Sequence, residues 1–84
     1  MSRHERLLQT ILLGRSDANI RFAELRRLLL RLGFGERVRG SHHIFTRDDI
    51  EEQINLQEKG GAAKVYQVRQ VRRIIRKYVL WRFK

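Results

Sequence analysis

The first apolar positions, Leu7, Leu8, Ile11 and Leu12, recur at helical spacing and predict a short helix over residues 3–13. Ser2 and Glu5, three residues apart, fit a capping box at its start, and Gly14 supplies the stop. Ser16-Asp17-Ala18-Asn19 reads as a turn. A second stripe, Phe22, Leu25, Leu28, Leu29 and Leu32, predicts a helix over 22–32 closed by Gly33, with Arg26, Arg27 and Arg31 off the stripe. After Gly33 the period changes. Residues 36–41 and 42–47 suit short strands, the joint between them undecided, and Arg47-Asp48-Asp49-Ile50 suits a hairpin turn. Residues 52–57 alternate polar and apolar, as a strand with one buried face does, until Gly60-Gly61 breaks the pattern. From about Gln67, Val68, Val71, Ile74, Ile75 and Tyr78 mark a final helix, with Arg69, Arg72, Arg73, Arg76 and Lys77 around the rest of its circumference. Leu80-Trp81-Arg82-Phe83 then leaves apolar side chains that must pack back or meet a partner.

The order α-α-β-β-β-α predicts an α+β fold of two layers, a three-stranded antiparallel sheet with helices on one face. One domain over residues 1–84 is expected, with an additional N-terminal helix and turn at 1–18 and the remaining core at 19–84. Without its first helix, the order is the α-β-β-β-α of double-stranded-RNA-binding domains.

Composition narrows the chemistry. Eighty-four residues, 42% apolar and 33% charged, suit a small globular domain. With no cysteine, this chain has no disulfide, thiolate metal site or cysteine nucleophile. Its longest uncharged run, Leu7–Gly14, is far short of the about 20 residues of a membrane span, and the N-terminus lacks a secretory-leader pattern. A cytoplasmic location is expected. Nineteen Lys and Arg against nine acids give a net charge of +10, which points to a polyanion, most simply nucleic acid. An inert basic surface, or docking on an acidic protein, is the alternative. Five of the nine acids fall within residues 48–58, whereas Val65–Lys84 carries basic residues and no acid. The polyanion is therefore expected at the C-terminal segment.

Gly40-Ser41-His42-His43 is the feature with chemistry in it. Neighbouring strand residues point to opposite faces, so the two imidazoles cannot share a site. Assigning the β-branched Ile44 to the core puts His42 at the rim and leaves Ser41, His43 and Phe45 on the open face. An imidazole there can move a proton at neutral pH, as metal-free RNA cleavage requires next to a ribose 2′-hydroxyl. Phe45 would offer a base a stacking surface. An exposed strand histidine without a role is the alternative for His43, and a rim residue bonded to backbone is the alternative for His42. No metal site and no cofactor are expected, because His42 and His43 diverge and the carboxylates cluster beyond them.

These segments resemble the HicA family of small bacterial mRNA interferase toxins. The likeness rests on Arg31-Leu32-Gly33-Phe34, on Arg37-Val38-Arg39-Gly40-Ser41-His42-His43-Ile44-Phe45, and on Lys64-Val65-Tyr66-Gln67-Val68-Arg69-Gln70-Val71-Arg72. It implies a double-stranded-RNA-binding-domain-like fold, metal-independent cleavage of mRNA, and a hetero-oligomer with a HicB-like antitoxin. The family's catalytic histidine matches the last position of Gly-Ser-x-His, which is His43. Ser41 is expected to hold phosphate or orient the imidazole, and Arg39 and Lys64 to contact phosphate. The additional first helix, and Glu58–Lys64 in place of a Pro- and His-containing turn, depart from the family pattern. The rival expectations are a non-catalytic RNA-binding module and an interaction protein that docks an acidic partner.

Overall fold

In the computed structural model, which describes residues 2–81, helices α1 (Arg3–Leu13), α2 (Phe22–Arg31) and α3 (Val65–Lys77) accompany strands β1 (Gly35–Arg39), β2 (His42–Arg47) and β3 (Ile50–Gln57). A single 3-10 turn at Asp17–Asn19 joins α1 to the segment before α2. The strands form one antiparallel sheet in the order β1-β2-β3. The fold is α+β, as the pattern of elements predicts. Expectations that fall on Arg82 and Phe83 lie outside the described residues.

Local chemistry explains the boundaries. Ser2 Oγ accepts from the Glu5 amide at 3.2 Å and donates to the Glu5 carboxylate at 3.2 Å, closing the start of α1. Gly14 ends α1 at φ 69°, and its amide returns to the carbonyls of Thr10 and Ile11. Helix α3 begins two residues before Gln67, because the Gln67 side chain folds back to accept from the Lys64 amide at 3.1 Å. The undecided joint between the first two strands is a two-residue hairpin turn at Gly40-Ser41. Gly40 takes φ 59° there, as the first central residue of such turns requires. The first strand accordingly stops at Arg39, two residues earlier than expected, and Ser41 is a turn residue.

The core is one continuous cluster in which Leu7, Leu8 and Ile11 of α1 join the α2 stripe, Phe45, Ile54, Leu56 and the apolar stripe of α3. Sheet parity sorts the rest. Glu36, Val38, His43, Phe45, Ile50, Glu52, Ile54 and Leu56 lie on the helix-covered face, and Arg37, Arg39, His42, Ile44, Thr46, Gln53 and Asn55 on the opposite one.

Four of the five cations of α3 are engaged within the chain. Arg72 forms a two-pronged ion pair with Asp17 at 2.9 and 3.0 Å and donates to the Ile11 carbonyl, while Arg76 donates to the Leu12 carbonyl. Arg73 and Lys77 both reach Glu52 at 2.8 Å. Among the described residues of the acid-free segment, Arg72, Arg73, Arg76 and Lys77 are thus engaged by Asp17, Glu52 and the C-terminal carbonyls of α1, while Arg69 is exposed. These partners are more than 20 residues away in sequence, so local charge counting does not reveal them.

The chain turns sharply after α3. Val79 takes φ 56°, left-handed for a β-branched residue, while the Leu80 amide returns to the Ile75 carbonyl and the Leu80 side chain is buried. Leu80 packs back as expected; Trp81 remains 43% exposed beside Leu8 and Leu12.

Candidate active site

Strand register decides where His43 points. Phe45 pairs with Ile54 and His43 with Leu56, so both side chains lie on the face whose partners are buried. Phe45 is fully buried at 0% exposure. This inverts the faces expected from the sequence: Ile44 is the residue on the uncovered side, with His42, and Phe45 belongs to the core. The physical reason is area. An aromatic ring buries more apolar surface than an isoleucine, and adjacent apolar residues cannot both face inward. Phe45 has no surface to offer a base, and that expected role is withdrawn.

His43 is therefore not on a bare sheet, yet neither is it sealed. Its ring meets the first residue of α2, Phe22, edge to face with centroids 4.8 Å apart, and its side chain keeps 13% exposure. Nδ1 lies 2.7 Å from Glu36 Oε2. The same carboxylate takes a two-pronged ion pair from Arg26, Nε to Oε2 at 2.7 Å and a terminal nitrogen to Oε1 at 2.7 Å. The Arg26 guanidinium, with a lesser contribution from His43, holds the Glu36 carboxyl below its ordinary range against the opposing effect of burial. With Glu36 ionised, Nδ1 carries the proton and donates it in this bond, which leaves the Nε2 lone pair free in the neutral ring. Nε2 has no hydrogen-bond partner among the described residues. No buried side-chain nitrogen or oxygen among them is left unpartnered, so Nε2 reaches solvent. A fixed base atom with access to solvent results.

The other expected residues gather at the same end of the sheet without touching His43. Ser41 is exposed in the hairpin turn, where its Oγ accepts from the Gln57 side chain at 3.2 Å. Arg39 flanks that turn on the uncovered face, opposite His42, and has no ion pair among the described residues. Lys64 is exposed at the entrance to α3, which is tied to the sheet end where Gln67 donates to the Gln57 carbonyl at 3.3 Å. The loop between β3 and α3 also bonds the start of α2, with the Phe22 amide donating to the Gly61 carbonyl and the Ala63 amide to that of Ile20. Arg21, exposed and without an ion pair among the described residues, pairs with Ala62 in that contact. Around the imidazole end, Arg21, Arg39 and Lys64 are thus exposed cations with no carboxylate partner among the described residues.

Glu36 and Arg26 are the residues that sequence reasoning missed. The available signal was that Glu36 is the sole carboxylate between Glu24 and Asp48, set in the otherwise basic strand Gly35–Arg39. Comparison with protein-family models, curated proteins and solved structures finds no match to this chain.

Proposed function

We propose that the chain is a HicA-like toxin that cleaves mRNA without a metal ion, with His43 as general base. The observation that carries this reading is the Arg26–Glu36–His43 chain of hydrogen bonds, which fixes the ring and leaves Nε2 as its reactive atom. Nε2 takes the proton of a ribose 2′-hydroxyl and the 2′-oxygen attacks the adjoining phosphorus. The bond from phosphorus to the 5′-oxygen breaks, that oxygen takes a proton from water, and Nε2 returns its own proton to the hydroxide left behind. The products are a 2′,3′-cyclic phosphate and a free 5′-hydroxyl. Arg39, Lys64 and Arg21 supply positive charge for the phosphates on either side. Ser41, bonded to Gln57, keeps the hairpin turn in place beneath the RNA. The α-β-β-β-α order of α2 to α3 supports the double-stranded-RNA-binding-domain-like reading, and a HicB-like antitoxin is the protein partner that goes with it.

Purified protein incubated with mRNA in EDTA tests the reading. Cleavage to cyclic-phosphate ends, abolished by His43→Ala with the fold retained, is the expected result. Salt-sensitive RNA binding without cleavage would leave only an RNA-binding module, and no affinity for RNA would leave an interaction protein.

A further inference from the structure

We infer that the free edge of β1 receives an extended peptide segment of a partner protein, in which acidic side chains alternate with an apolar one. Strand β1 is at one end of the sheet and pairs with β2 alone among the described residues. Across a two-residue hairpin the flanking residues exchange both backbone bonds, so Arg39, Arg37 and Gly35 bond to His42, Ile44 and Thr46. The amides and carbonyls of Glu36 and Val38 then point outward from the sheet, unpaired. They form a short ladder that awaits a strand.

Side chains state what that strand must carry. Arg37 and Arg39 project on the uncovered face, two residues apart, exposed and without a carboxylate within ion-pair distance among the described residues. Val38 projects on the other face at 52% exposure, an apolar residue at an edge where a protective strand would place a charge. Acids beside Arg37 and Arg39, with an apolar residue between them beside Val38, answer all three. Glu36 does not repel them, because Arg26 already neutralises it. A second copy of this chain fails the same test, since pairing β1 with β1 sets arginine beside arginine. The β3 edge fails too. Its apolar residues Ile50, Ile54 and Leu56 are already buried, and Glu51 and Glu58 would meet an acidic strand. This inference rests on β1 alone and stands whether or not the chain cleaves RNA.

The test is amide hydrogen exchange followed by NMR, with a blocked heptapeptide alternating glutamate and valine as the probe. At saturation, exchange should slow about tenfold or more at Glu36 and Val38, and change far less at Arg37 and Arg39, already bonded to β2. The Arg37→Glu/Arg39→Glu variant should lose the glutamate peptide and take a lysine–valine peptide instead. Unchanged exchange at Glu36 and Val38, slowing along β3, or equal binding of the lysine peptide to the unmodified protein would overturn the inference. So would a uridine oligonucleotide that shifts Arg37 and Arg39 where the peptide does not, since that face would then belong to RNA.

Discussion

Glu36 Oε2 sits 2.7 Å from His43 Nδ1, so a carboxylate on β1 sets the tautomer of an imidazole on the neighbouring strand. Replacing Glu36 with glutamine keeps the shape and removes the charge. The amide nitrogen can then donate to Nδ1, which moves the proton to Nε2 and silences it as a base. RNA cleavage by Glu36→Gln should fall by about 10- to 1000-fold with the fold retained. Initial rates beside circular dichroism check this; unchanged rates would leave the Glu36 bond a purely structural one.

Phe45 makes the inverted strand face testable. Phe45→Ala removes a fully buried ring and should cost about 3–5 kcal/mol of stability, enough to unfold much of so small a protein. Phe45→Leu should cost less and leave RNA affinity of the folded protein unchanged, as fluorescence anisotropy with labelled RNA would register. A selective loss of affinity in a stable Phe45→Leu protein would restore the ring to the RNA surface.

Val79 is held in a left-handed conformation that costs a β-branched residue about 1–2 kcal/mol. Glycine relieves that cost and returns part of the gain as unfolded-state freedom. Val79→Gly should therefore raise the thermal midpoint, with a net gain of about 0.5–1 kcal/mol. Calorimetry gives the answer directly.

Acid should loosen the molecule. The Arg72 guanidinium lowers the Asp17 carboxyl, Arg26 lowers that of Glu36, and Lys77 with Arg73 pulls Glu52 to about 2. Carboxyls lowered in the folded state stabilise it above their ordinary values, and that stability is lost as pH falls towards the folded ones. Thermal midpoints should drop between about pH 5 and pH 2, less steeply in Glu52→Gln than in the parent. Parallel curves for the two proteins would mean that the Glu52 bridge adds nothing.

Helices were legible in the sequence because each buries one stripe against a single body of core, and a 3.6-residue period survives without knowledge of partners. The boundaries of α1 followed from Ser2 and Gly14 alone. Strand β2 was ambiguous because Ile44 and Phe45 are adjacent and apolar, so either parity satisfied the local pattern; their partners on β3, Asn55 and Ile54, decide it. His43 was legible as the residue with chemistry, but Glu36 and Arg26 were not, because their contact joins a helix and two strands. The partners of the α3 cations, Asp17 and Glu52, were hidden for the same reason.

The clamp between α1 and α3 has a consequence for synthesis. Arg72 and Arg76 cap carbonyls 61 and 64 residues earlier in the chain, those of Ile11 and Leu12. Of the elements described here, the first to leave the ribosome is therefore fastened by the last. Until α3 emerges, α1 has only its Gly14 cap, the Leu12 carbonyl lacks its guanidinium, and the growing chain must wait with part of its core uncovered.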